Sequence, residues 1–275
     1  MRSTVEVGRC LLGAQLLRLR TSAGLRQRDV VVQARVALAR LRQVEHGQVM
    51  PDAHILSRLL RLYRAGQEAR EDIHTLLAAI PPGPPQEADE PSGAFCDAGS
   101  GRWERLTRLT NSAQAVTEIS TGTLPPRVQI AEYAIALVRG QSAPAGADIS
   151  MALTGRCGAA ASRVVVTEPV LSRTVGGRRV MAAQLDHLMV LATHPGPVTL
   201  RIIPTSAVPH TTVGTLRLLH LGTGDLSIRV TPSHVAYHPG TVERAQARRA
   251  LSAAADSRGS AEMIRAVGRR YGARL

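Results

Sequence analysis

The stretch GLRQRDVVVQARVALARLRQVEHGQVMPD, residues 24–52, decides the fold. Its apolar positions allow two short helices, one from about Gln27 to Ala34 and one from about Ala37 to Glu45, with a three-residue turn around Arg35 between them. This is the layout of a helix-turn-helix, in which the first helix braces the second against the DNA major groove. Val31, Val36, Leu41 and Val44 fall where such a pair needs internal packing, which leaves Leu38, Ala39, Arg40, Arg42 and Gln43 facing outward. Arg40 has the fork to read guanine, Gln43 the amide to read adenine, and Gln27 the reach to grip a phosphate. A plain surface helix with solvated polar residues would show the same pattern, so the surroundings must carry the distinction.

Upstream, Leu12, Leu16 and Leu19 recur at spacings of four and three and define one face of a first helix, which Gly24 ends in the C′ position. Downstream, Gly47 ends the third helix and Pro51-Asp52 opens a fourth that carries Ile55, Leu56, Leu59, Leu60 and Leu62. A fifth covers Gln67 to Ala79. The run PPGPPQEADEPSGAFCDAGSG, residues 81–101, removes backbone donors with proline and adds freedom with glycine and serine, and reads as an interdomain linker. Beyond it, helical patterns cover Trp103 to Val116 and Pro126 to Val138. The β-branched runs VVVTE, VTLRIIP, TLRLLHL and SIRV read as strands, with a helix from Arg178 to Ala192 between the first two and two closing helices. The expected architecture is α+β overall: an all-α five-helix domain over 1–80, a linker over 81–101, and an α+β domain with a partly antiparallel sheet over 102–275.

Composition bounds the function. The 275 residues have room for two cores, and the mean hydropathy of −0.02 fits a globular chain. All 34 basic residues are arginine and the net charge is +13, which favours an anionic partner. An arginine-only basic set together with much Ala, Gly and Val also matches a GC-rich genome, so charge raises the nucleic-acid reading without deciding it. Residues 1–72 alone hold thirteen Arg against seven Asp or Glu. No apolar run approaches a membrane span, and Arg9, Arg18 and Arg20 interrupt any export signal, so a cytoplasmic protein is expected. Cys10, Cys96 and Cys157 are widely spaced and odd in number, and read as reduced thiols without a metal or disulfide role.

Several segments together resemble one family. GLRQRDVVVQARVALARLRQVEHG aligns without a gap to its helix-turn-helix pattern, with LGAQLLRLRTSAGL before it and LLRLY after it. In the second half, LPPRVQIAEYAIAL matches at Pro125, Gln129 and Tyr133, and EPVLSRTVGGRRVMAAQLDHLMVLA and VTLRIIPTSAVPH follow in order. The chain is similar to actinobacterial, Streptomyces-type regulators that pair an Xre or lambda-repressor-like helix-turn-helix domain with a C-terminal domain of unknown function. The VGG-to-HL segment, Val175 to Leu188, carries most of the specificity. The resemblance implies a lambda-repressor-like first domain, double-stranded DNA as partner, and a homodimer reading two half-sites. It further implies a small-molecule effector or a small companion protein, and a setting in development or secondary metabolism. Some positions depart from the family pattern. Arg35 replaces the turn glycine, Ala37 the serine that caps the reading helix, Val31 a small residue between the helices, and Ile119-Ser120 an aromatic-acidic pair.

Other chemistries are weaker. His234 and His238 sit four apart, but Pro232 and Pro239 bracket them and a strand or loop removes the helical spacing a zinc pair would need. Glu168 and His210 lack a nucleophile elbow, phosphate loop or paired carboxylate beside them, so no catalytic residue, cofactor or metal is expected and the chain is not read as an enzyme. Gly176 and Gly177 could cradle an anion before the Arg178 helix, though a turn is the simpler role. Two other readings stay open: a helix-turn-helix turned to protein–protein interaction, and a biosynthetic enzyme recruited from this regulator family.

Overall fold

The computed structural model describes residues 4–78, 80, 94–140, 161–194, 196–207, 214–221, 224–231, 234–238 and 242–273. The helices are α1 (Thr4–Ser22), α2 (Gln27–Ala34), α3 (Leu38–Glu45), α4 (Ala53–Leu62), α5 (Gln67–Ala78), α6 (Arg102–Ser112), α7 (Ala131–Gly140), α8 (Glu168–Ser172), α9 (Gly177–Thr193), α10 (Val242–Ala253) and α11 (Ser257–Tyr271). The strands are β1 (Phe95–Asp97), β2 (Ala115–Ser120), β3 (Ala161–Thr167), β4 (Val198–Ile203), β5 (Thr215–Leu221), β6 (Gly224–Val230) and β7 (Val235–His238). The chain forms two units, one of residues 1–109, 224–226 and 231–240 and the other of 110–223, 227–230 and 241–275.

The five N-terminal helices of the first unit form as their patterns require. The side chain of Asp52 caps α4 by accepting from the Ile55 N–H at 2.7 Å, which satisfies one of the free donors of the first turn. Leu11, Leu12 and Leu16 of α1, Val30 of α2, Leu41 of α3, Leu59 of α4 and Ile73 of α5 are all buried in this unit. Val31, expected inside, is only half-buried; Val30 and Ala34 take the inner face of α2 instead, so the crowding that a valine at 31 would bring does not arise. β1 pairs antiparallel with β7, Cys96 opposite Ala236, and Phe95 lies against Tyr237 with ring centroids 6.4 Å apart.

A buried ion cluster closes this unit. The Arg105 guanidinium, on α6, donates to both oxygens of Asp97, at 2.8 and 2.6 Å, and to both oxygens of Asp72 on α5. All three side chains are essentially inaccessible. Two carboxylates against one guanidinium leave an excess negative charge, which Gln15 Nε2 and the Gly101 N–H meet at Asp72 and the Gly99 N–H at Asp97. Burial disfavours the charged guanidinium, but its bonds to Asp97 and Asp72 outweigh this and hold it above its ordinary value. Side chains cannot fit where the backbone makes these contacts: a Cβ at Gly99 or Gly101 would stand 2.8 Å from the guanidinium. Residues 94–101, grouped with the linker by composition, therefore form a strand and a tight turn of the first unit; residues 81–93 lie outside the described residues.

The second unit is built on a mixed sheet. β2 pairs parallel with β3 and antiparallel with β5, and β3 pairs parallel with β4. One face, with Val164, Val166, Leu200 and Ile202, packs against Met181, Leu185 and Leu188 of α9 and Ile264 and Val267 of α11. The other face, with Ile119, Val165, Ile203, Leu216 and Leu218, packs against Ala247 and Ala250 of α10. Covered on both faces, β3 is apolar over Val164–Val166, as a central parallel strand should be. The helix expected over Trp103 to Val116 stops at Ser112, and the next element is the strand β2. Its apolar signal is broken by Glu118, which is buried and bonded to Arg217 of β5 at 2.6 Å.

Candidate nucleic-acid interface

The helix-turn-helix geometry survives the substitutions at its turn. Arg35 takes the left-handed conformation, φ +50° and ψ +50°, that the motif's glycine would adopt, and its N–H bonds to the Val31 carbonyl. Ala37 begins α3 with no side-chain cap. Arg35→Gly should therefore stabilise the protein by about 1 kcal/mol, and Ala37→Ser by about the same, each read as a higher urea midpoint at unchanged slope. Lower midpoints in both variants would mean that these two side chains make contacts that outweigh the strain. At the start of α2, Asp29 replaces the missing cap: its carboxylate accepts from the Arg26 N–H at 3.0 Å and pairs with the Arg26 side chain, and these bonds hold it below the usual carboxylate range.

α3 is fixed from behind by Glu45. That buried carboxylate accepts from Arg20 of α1 at 2.5 and 3.1 Å and from Gln27 Nε2 at 2.9 Å. Arg20 also donates to the Leu25 carbonyl at 2.8 Å, and its bonds to Glu45 raise its pKa against the effect of burial. One carboxylate thus ties together α1, the head of α2 and the foot of α3. Close approach of α1 to α3 is secured by glycine, since a Cβ at Gly13 would stand 2.5 Å from the Val44 carbonyl. Neither Arg20 nor Glu45 is among the site residues expected from sequence. The signal was available: Arg20 follows Leu16 by four and lies on the apolar face, where an arginine demands a partner.

Leu38, Ala39, Arg42 and Gln43 stand exposed on α3, with Arg28 and Arg35 exposed nearby in sequence. Arg40 is half-buried and donates to the Met50 carbonyl at 3.0 Å, so part of its fork holds the loop between α3 and α4. Gln27 is engaged on both sides of its amide, donating to Glu45 and accepting from Arg42 Nε at 3.3 Å. The outward face is thus led by Arg42 and Gln43, while Arg40 and Gln27 also brace the motif.

The remaining candidates settle into structural places. Glu168 accepts from the N–H and hydroxyl of Thr205, both at 2.9 Å, while His210 lies outside the described residues. His234 hydrogen-bonds Thr231 and His238 ends β7, so the pair shares no helical face. Gly176, with φ +69°, turns the chain into α9. Among the described residues no three His, Cys, Asp or Glu come together as metal ligands, and no helix is long and apolar enough to cross a membrane. Cys157 lies outside the described residues.

Two families match this sequence. The one described as Domain of unknown function (DUF5753) covers residues 103–266, and the one described as Helix-turn-helix domain covers residues 11–73. No curated protein and no solved structure gives a match.

Proposed function

Because the chain belongs to the DUF5753 family and carries a helix-turn-helix domain ahead of that region, we propose that it is a sequence-specific DNA-binding transcriptional regulator. The observation that carries the reading is α3, braced by Glu45 from behind and presenting exposed Arg42 and Gln43, whose side chains bond, among the described residues, only through the Arg42–Gln27 pair. In this reading Arg42 and Gln43 meet base edges, Leu38 and Ala39 give apolar contact, Arg40 reaches bases with the donors left free by Met50, and Gln27 supports a phosphate contact. The protein acts in the cytoplasm as a homodimer, and two half-sites lie about 34 Å apart, one helical turn. The second unit senses a small molecule or a small partner protein; no catalytic step is assigned to it.

Fluorescence anisotropy on duplex from the chain's own upstream region, against a shuffled duplex, tests this. Arg42→Ala should weaken binding to the native duplex by about 1–3 kcal/mol and change the shuffled duplex much less. Equal, salt-sensitive binding of the parent protein to both duplexes would refute base reading. That outcome would favour the second reading, a helix-turn-helix used for protein contact, which the exposed Val32 and Leu38 support.

A further inference from the structure

A cleft of about 780 Å³ opens in the first unit, lined by the end of α1, by Leu25, by Gln33 of α2 and by the end of α4. Its walls include Leu19, Leu25, Leu62 and Ala65, and two exposed arginines, Arg61 and Arg64, stand on it. That volume lies within the range of small-molecule sites, roughly 300–1,000 Å³. Tyr63, also on the lining, is 4% exposed, and its hydroxyl has no hydrogen-bond partner among the described residues. A buried hydroxyl normally has a partner. Arg64 holds a left-handed conformation, φ +52°, where a helix terminus ordinarily takes glycine. Apolar walls and two cations together specify a ligand chemistry.

We propose that this cleft is an effector site for a small molecule with an apolar body and a carboxylate or similar anionic head. The body lies on Leu19, Leu25 and Leu62, and the head meets Arg61 and Arg64. The cleft connects to α3 through bonds already described. Leu25, on its wall, accepts from Arg20; Arg20 holds Glu45; Glu45 holds Gln27; and Gln27 accepts from Arg42. A ligand that displaces Leu25 thus acts on the side chains that orient the outward face of α3. The site stands independently of the DNA reading, and only its regulatory sense rests on it.

Decanoate, an aliphatic carboxylate, is the probe, titrated into the full chain by calorimetry with no DNA present. The expected result is saturable binding of one decanoate per chain, weakened about tenfold or more in the Arg61→Ala/Arg64→Ala variant, whose changes are on the surface and leave the fold intact. A Leu62→Phe variant, which narrows the cleft while keeping both arginines, should also weaken it. Absence of saturable binding, or binding that both variants leave unchanged, would overturn the site. Binding that meets these expectations but leaves operator affinity unaltered, in a protein that does bind its operator, would overturn the connection to α3.

Discussion

Replacing Arg105 with methionine should destabilise the protein by about 3–5 kcal/mol, the cost of stranding a buried charge without its partner. Asp72 and Asp97 each lose a two-pronged guanidinium contact, and neither has solvent to turn to. Gln15 and the N–H groups of Gly99 and Gly101 cannot balance two carboxylates, so one of the two must take up a proton or the site must open. Urea unfolding reads the effect. The diagnostic companion is Arg105→Met with Asp72→Leu and Asp97→Leu together, which removes all the charge at once. It should recover much of the loss, because an apolar replacement of a buried ion cluster is often neutral. A loss under about 1 kcal/mol in the single variant would show that the cluster is wet, and would overturn the account of how α6 is held.

The second large effect is expected at Glu45. Glu45→Ala leaves Arg20 with only the Leu25 carbonyl and frees the Gln27 amide, at a cost of about 3 kcal/mol. Glu45→Gln keeps the shape and one acceptor, so it should cost clearly less. The two variants also separate stability from orientation. If Glu45 positions α3 for DNA, Glu45→Gln should lower operator affinity even at temperatures where the protein is fully folded. Unchanged affinity there would mean that α3 is held by its apolar contacts, Leu41 and Val44, alone.

Legibility in the sequence followed the strength of the local physics. α2, α3 and α5 could be read to within a residue or two, and the end of α1 and the start of α4 likewise, because leucines at helical spacing, an Asp52 cap and glycines at 24 and 47 all point the same way. β3 to β5 and the second half of β6 were legible as β-branched runs. β2 was not, since Glu118 interrupts its apolar pattern and the reason, Arg217, lies 99 residues away. β1 was hidden in a glycine- and proline-rich run in which Gly99 and Gly101 serve close approach to Arg105 rather than freedom. On the candidate site, the exposed positions of α3 were legible from periodicity, whereas the engagement of Arg40 and Gln27 was not. Their partners, Met50 and Glu45, come from tertiary packing, which periodicity does not report.

The meeting of Ile80 and Phe95 at Gly8 has a topological consequence. A Cβ built at Gly8 would stand 2.9 Å from Ile80 Cδ1 and 3.2 Å from Phe95 Cε2, so the chain leaves and returns to one spot on α1. Ile80 and Phe95, described residues on either side of the proline-rich run, thus meet at the same helix. Loop-closure entropy rises only with the logarithm of length, about 0.6 kcal/mol per doubling. Inserted residues, a cleavage sequence or a small tag should be tolerated there with little loss of stability, and cutting the inserted sequence should leave both ends in place. In chain order the first crossing between the units comes elsewhere, inside the continuous helix α6, whose last turn carries the chain from Leu109 to Thr110. A flexible graft into α6, by contrast, breaks a continuous helix and should cost stability.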